Sequence, residues 1–169
     1  MALTVAPELS VRPVTAEDSE LLLCLARACP PLDVHTPYTY WVISHLFADT
    51  SFVLVDGAHG RIAGYVTGVP GGDGETILCW QVGVLPEYRG WGGSNLLFGA
   101  VAQRAIELGL TRLETTISPV NEASRAALAS FVRRSGWDAE VVRDIDVPER
   151  GEDPNETLFV IHLDRERTS

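Results

Sequence analysis

Residues 80–105 read WQVGVLPEYRGWGGSNLLFGAVAQRA, and no other stretch constrains the fold as much. An apolar strand pattern ends at Pro86, the turn Arg89-Gly90-Trp91-Gly92-Gly93-Ser94 follows, and apolar residues then recur at helical spacing. Glycines at a helix entry let successive backbone N–H groups converge with no Cβ in the way. Those groups and the positive end of the helix dipole form an anion site suited to a diphosphate, and Arg89 adds a full charge nearby. The same glycines also suit a plain helix cap with tight packing. Two other phosphate motifs are excluded. A P-loop needs a lysine, and this chain has none; a dinucleotide-binding G-x-G-x-x-G sits in a first β-α-β unit, whereas this turn follows the fourth expected strand.

The flanking patterns give the rest of the architecture. Leu9–Val14 alternates as a first strand, Thr15 offers a helix cap with Asp18 in the capping-box position, and Leu21, Leu22, Leu25 and Ala26 mark a helix that stops at Pro30-Pro31. A second helix is predicted over Tyr38–Phe47. Ser51–Val55 and Ile62–Val69 form a hairpin across Gly57–Gly60, and Pro70–Gly74 is a loop. Thr76–Leu85 is apolar almost throughout, as a strand buried on both faces would be. Asn95–Leu108 is a helix closed by Gly109, Leu113–Ile117 a strand, Glu122–Ser135 a helix, and Val141–Val147 and Glu156–Leu163 the last strands, with Gly151–Pro154 as a polar connector. The order β-α-α-β-β-β-α-β-α-β-β predicts an α/β chain of mixed α+β character: one mixed, mostly antiparallel sheet of about seven strands flanked by about four helices. A chain of 169 residues is one domain by length, with a core over about residues 9–164.

Charge narrows the partners. With 13 basic and 23 acidic side chains the formal net charge is −10, which argues against nucleic acid and anionic membranes as partners. The balance is uneven. Val84–Gly136 carries six arginines against four acids, while Asp138–Glu166 carries ten acids against three arginines, so the glycine turn sits in the basic part. A small polyanion therefore remains admissible. No apolar run reaches bilayer length, and the start MALTVAPELSVRP lacks a basic n-region and a long h-region, so a cytoplasmic protein is expected. The cysteines, Cys24, Cys29 and Cys79, form no C-x-x-C pair or zinc-type cluster; free thiols and no metal are expected.

The turn Arg89–Ser94, coming after Val82-Gly83-Val84, resembles the acetyl-CoA pyrophosphate loop of the GNAT N-acetyltransferases, whose pattern is Q/R-x-x-G-x-G/A. Arg89 and Gly92 match, and Ser94 stands where the pattern has glycine or alanine. The resemblance covers the element order along nearly the whole chain and implies the GNAT acyl-CoA N-acyltransferase fold. It further implies that the fourth and fifth strands splay apart and that the pantetheine of acetyl-CoA lies in the opening near Val82 and Val84. Arg89, Gly90, Trp91, Gly92, Gly93 and Ser94 would then hold the diphosphate, and Asn121 and Ser124 would line the far side. A backbone N–H in that opening would polarise the thioester carbonyl.

Further segments resemble the diaminobutyrate acetyltransferases of the ectoine pathway: Leu32–Tyr40, Phe47–Ser51, Trp80-Gln81-Val82 and Leu113–Ser124, spread between about Val11 and Leu163. That family moves an acetyl group from acetyl-CoA to the 4-amino group of L-2,4-diaminobutyrate, and related enzymes suggest a homodimer. A small diamine amino acid brings two ammonium groups and one carboxylate, so its pocket needs carboxylates and hydrogen-bond donors. Asp33 and Glu156 are the candidate ammonium partners, Thr36, Tyr38 and Thr115 candidate hydroxyls, and Trp80 an apolar or cation-π wall. Each also has a plain structural role open to it: a turn for Asp33, core for Trp80, a helix start for Tyr38, an exposed strand end for Glu156. The family commonly has Asn-Ser where this chain has His35-Thr36, and a histidine where it has Asp153; both bear on acceptor preference.

An alkyl amine with a pKa near 10 is protonated at neutral pH, so a base or a water must take its proton before attack. No cysteine–histidine arrangement suggests an acyl-enzyme, so direct transfer in a ternary complex is expected. Glu114 is a candidate base. If strand alternation turns Thr115 into the cleft instead, a water near Thr115 or Asp33 takes that part. Phe131 stands on the helix where several GNAT enzymes carry a tyrosine acid, so no general acid is assigned. The rivals are a GNAT enzyme for another small amine and a non-catalytic acyl-CoA-binding module.

Overall fold

The computed structural model describes residues 5–145 and 156–163. The described strands are β1 (Leu9–Pro13), β2 (Phe52–Asp56), β3 (Arg61–Pro70), β4 (Thr76–Val84), β5 (Arg112–Ile117), β6 (Asp138–Ile145) and β7 (Glu156–His162). The helices are α1 (Ser19–Ala28), α2 (Pro37–Leu46), α3 (Gly93–Glu107) and α4 (Glu122–Ser135). The strands form one sheet in the order β1-β2-β3-β4-β5-β7-β6. Every neighbouring pair is antiparallel except β4–β5. The crossover through α3 is what makes that pair parallel, since a parallel neighbour cannot be reached by a tight turn.

Strand alternation divides the core between the two faces. Phe52 and Leu54 of β2 pack with Leu97, Phe98, Val101, Leu128 and Phe131 of α3 and α4. Val53 between them packs with Leu22, Leu25, Tyr40 and Ile43 of α1 and α2 on the other face. The short 3-10 turn Ala16–Asp18 that leads into α1 carries the capping arrangement the sequence suggests. The Thr15 N–H donates to Asp18 Oδ2 at 2.8 Å, and Arg12 makes a two-pronged pair with the same carboxylate at 2.7 and 2.9 Å.

Several boundaries differ from expectation, each for a local reason. α2 starts at Pro37, because proline is well suited to a first helical position. α3 starts at Gly93, because Gly92 takes up the left-handed conformation (φ 82°) that turns the chain into the helix. β6 starts at Asp138, three residues before the predicted start, because it is an edge strand exposed along nearly its whole length and so carries no apolar alternation. Residues 146 and 147 of that expected strand, the Gly151–Pro154 connector and Asp153 lie outside the described residues.

Asp73 closes the β3–β4 connection and ties it to β5. Its Oδ1 accepts the Glu75 and Thr76 N–H groups at 3.0 Å, and its Oδ2 accepts Thr76 Oγ1 at 2.7 Å and Arg112 Nη2 at 2.9 Å. These donors, the Glu75 N–H first, hold the carboxyl at about 2. A depressed carboxyl pKa stabilises the fold above the unfolded value, about 3.9, and that contribution fades as pH falls through the folded value. Thermal melts of Asp73→Asn should therefore show a deficit at pH 7 that shrinks as pH drops from 4 toward 2. A deficit constant with pH would mean that the charge does not hold this turn.

Candidate active site

The β4–β5 pair opens like a fork. Pairing runs from Thr76↔Arg112 to Cys79↔Thr115 and then stops. On the β3 side the register shifts between Gln81 and Cys79, which leaves Trp80 as a bulged residue. A bulge bends its strand and reverses the alternation beyond it. Ile77 and Cys79 accordingly pack in the α3–α4 core, and beyond the bulge Val82 and Val84 do so. Beyond Cys79, β5 keeps its pairing with β7 but has lost β4.

The opening is a cleft of about 920 Å³. Val82, Val84, Arg89, Gly90, Gly92, Gly93, Ser94, Asn121 and Ser124 all line it, as do Asp33, Trp80, Thr115 and Glu156. The Leu85 N–H donates to Ala63 O at 2.8 Å and the Gln81 N–H to Thr67 Oγ1 at 3.0 Å, both toward β3. Alternation along an extended strand then turns the N–H groups of Val82 and Val84 toward the opening.

After Val84 the chain reaches the glycine turn. Gly90 and Gly92 adopt φ of 83° and 82°. No backbone N–H from Gly90 to Ser94 donates to a backbone carbonyl among the described residues. These donors stand at the first turn of α3, where the helix dipole favours an anion. The Arg89 guanidinium donates to Val84 O at 3.2 Å and to Pro30 O at 3.4 Å, which holds it at the cleft edge. Arg134 of α4 also lines the cleft. Asn95 Oδ1 and Ser118 Oγ, buried atoms of cleft-lining residues, have no hydrogen-bond partner among the described residues. A ligand with a diphosphate and amide groups fits this set of open donors and acceptors.

The remaining predicted residues are placed less uniformly. Thr115 is buried and its hydroxyl donates to Cys79 O at 3.0 Å, at the closed end of the fork. Glu114, its neighbour on the opposite strand face, does not line the cleft, so the structure does not bring it to the reacting atoms. Thr36 sits at the N-cap of α2 with its hydroxyl 3.3 Å from that of Thr39, and Tyr38 is 70% exposed, stacked on Trp41. Neither lines the cleft. Trp91 faces an adjoining groove with Asn95, Leu96, Arg134 and Trp137. Phe131 is core, stacked on Phe98.

Sequence reasoning singled out His35 only as a departure that bears on acceptor preference; the structure makes it a wall of the cleft, with its ring 4.8 Å from that of Trp80. Sequence reasoning missed Gln81, the one amide in an otherwise apolar strand, and that isolation was the available signal. Burial pushes the Cys29 thiol up to about 11 and raises Cys79 still further. Neither supplies a thiolate near neutral pH. Among the described residues no helix is long and apolar enough to cross a membrane, and no cluster of three or more His, Cys, Asp or Glu side chains could hold a metal ion.

Known proteins share this arrangement. The acetyltransferase (GNAT) family matches residues 20–131. The L-2,4-diaminobutyric acid acetyltransferase of Streptomyces coelicolor is 41% identical over 148 residues, 85% of this chain and 86% of that protein. The protein of the same name from Chromohalobacter salexigens is 40% identical over 117 residues, 69% of this chain and 60% of its own length. Among solved structures, the diaminobutyrate acetyltransferase of Paenibacillus lautus, in complex with its substrate L-2,4-diaminobutyric acid and coenzyme A, superposes with a TM-score of 0.82. It is 26% identical, and the match covers 93% of this chain and 96% of that one.

Proposed function

The chain belongs to the acetyltransferase (GNAT) family and within it to the diaminobutyrate acetyltransferases, and from that premise we propose that it acetylates the 4-amino group of L-2,4-diaminobutyrate with acetyl-CoA. The product is N4-acetyl-L-2,4-diaminobutyrate, an intermediate of ectoine synthesis. The observation that carries this reading is the fork itself. One cleft is lined both by a turn of open N–H groups and by the Asp33 and Glu156 carboxylates, so a diphosphate and an ammonium can be held together. We extend the single acetyltransferase domain over residues 1–169. The homodimer rests on the family resemblance, and sedimentation of the purified chain tests it; the cytoplasmic location rests on free cysteines of the kind a reducing compartment keeps.

Acetyl-CoA supplies an activated thioester when bound. The Gly90–Ser94 N–H groups with Arg89 would hold its diphosphate, Val82 and Val84 would offer backbone hydrogen bonds in the opening, and Asn121 and Ser124 would line the α4 side. An N–H of the open β4 segment would stabilise the charge that builds on the carbonyl oxygen. Asp33 and Glu156 would bind and orient the ammonium groups beside Trp80. The reactive amine must lose a proton before it attacks. A water held near Asp33 is the acceptor we favour, since Glu114 lies outside the cleft. The nitrogen–carbon bond forms, the carbon–sulfur bond breaks, and the thiolate takes a proton. The absence of an available thiolate at Cys29 supports direct transfer.

Thiol release from acetyl-CoA, measured with L-2,4-diaminobutyrate, ornithine, lysine and a polyamine panel, tests the reading. Turnover should be highest with diaminobutyrate, with the acetyl group on N4 by NMR of the product. Robust turnover confined to ornithine or a polyamine would replace the acceptor. Binding of acetyl-CoA with no acceptor-dependent release would make the protein a binding module.

A further inference from the structure

Gln81 is 5% exposed beneath the bulge of β4, and its hydrogen bonds lead away from the cofactor turn. Its Oε1 accepts from the Tyr65 hydroxyl at 3.0 Å and the Tyr40 hydroxyl at 3.4 Å, while its Nε2 donates to Asp33 O at 2.7 Å. The amide can be oriented in one way only. A backbone carbonyl only accepts, so the NH2 end must face Asp33, and Oε1 must then face the two phenols. Burial raises the Tyr65 pKa, which keeps that phenol a donor. Tyr40 in turn accepts the His35 N–H at 3.3 Å.

The C=O of Asp33 and the N–H of His35 thus end on one buried node. Trp80, the next residue along β4, meets the same loop with its ring against His35. Two consecutive strand residues therefore grip one loop by different means: Gln81 through the backbone, Trp80 through a side chain. The loop needs such a grip. It lies between α1 and α2 with no strand or helix of its own, and unconstrained backbone loses substantial entropy when it is ordered for binding.

We propose that Gln81 is a positioning residue that fixes the Asp33–His35 loop beside the cleft and so sets the acceptor length the site admits. The proposal rests on the reading that a diamine amino acid binds beside Asp33. Gln81 itself need not touch the substrate; it sets where the Asp33 carboxylate stands. A loop released from the node lets Asp33 move, which weakens binding of the preferred acceptor and relaxes discrimination against one with an extra methylene.

Gln81→Leu keeps the site filled but offers no N–H to Asp33 O and no acceptor to either phenol. Gln81→Met likewise removes the polar end. In both, the KM for L-2,4-diaminobutyrate should rise about tenfold, as expected for loss of a buried hydrogen bond. The KM for acetyl-CoA should stay within about twofold of the parent in the same comparison. The preference for diaminobutyrate over ornithine should narrow, and the His35 amide should exchange with solvent faster. Parent-like acceptor KM and parent-like exchange in the folded variants would overturn the proposal. So would parallel increases in both KM values, the mark of a merely structural role. Should neither variant fold, Tyr40→Phe removes the acceptor of the His35 N–H and carries the same expectations. If the parent enzyme does not acetylate diaminobutyrate, the functional reading fails separately, and the exchange comparison still decides whether Gln81 holds the loop.

Discussion

Gly92→Asp is expected to raise the KM for acetyl-CoA about 100-fold, ~2.8 kcal/mol at 1.4 kcal/mol per factor of ten, while lowering Tm by only a few degrees. The two outcomes separate because the substitution strains the fold mildly and opposes the ligand strongly. Gly92 has φ of 82°, a left-handed conformation that strains any L side chain, aspartate less than most, and a Cβ there would meet nothing within 4 Å. It also stands at the N-cap of α3, where a carboxylate favours the helix. The same carboxylate would face the diphosphate across the open N–H groups of the turn. Two like charges a few ångströms apart in a partly screened cleft repel by several kcal/mol at an effective dielectric near 20. Steady-state kinetics at varied acetyl-CoA, paired with a thermal melt, reads both. An unchanged KM would remove the turn from the cofactor site, whatever the melt shows.

Loss of either acceptor carboxylate should have the next largest effect, on the other substrate. Asp33→Asn and Glu156→Gln are each expected to raise the KM for diaminobutyrate by about ten- to a hundredfold, the range of a charge-assisted hydrogen bond of ~1.5–3 kcal/mol. The KM for acetyl-CoA should not move. Both residues line the cleft, and both substitutions keep size and hydrogen-bonding capacity while removing the charge that an ammonium requires. Kinetics at saturating acetyl-CoA distinguish the two sites. If only one variant responds, that residue alone meets an ammonium. If neither does, the cation is bound elsewhere and the diamine reading loses its chemical basis.

The cofactor half of the site was legible because it is nearly contiguous. Strand, turn and helix follow one another from Trp80 to Ala105, so backbone chemistry that depends on neighbouring residues could be read in order. Two members of that stretch are placed differently or had been given no role. Trp91 belongs to the adjoining groove, which only the packing of α4 against α3 defines. Gln81 was visible as an amide in an apolar strand, but its partners Tyr40, Tyr65 and Asp33 are far apart in sequence.

The acceptor half is assembled from separate segments, and there the strand period left the phase open. Glu114 and Thr115 are adjacent, yet only one can face a given side of β5, and their sequence does not say which. Pairing with β7 and packing against α3 and α4 decide it, and Thr115 turns inward. Tyr38 follows Pro37 at the start of α2, and the helix rotation carries its ring to Trp41 and solvent. β6 went partly unread because an exposed edge strand has no buried face to impose alternation.

By itself the sequence determined the order of elements, the glycine turn with its arginine, the placing of α3 behind that turn, and a charge distribution that admits one small polyanion. These depend on local propensity, on backbone freedom at glycine and on simple counting. The tertiary structure alone decided where β4 leaves β5, which side chains face the opening, and how Gln81 holds the acceptor loop. Each of those depends on a bulge at Trp80 and on contacts between residues distant in the chain, and such contacts form only when the sheet has fixed its register.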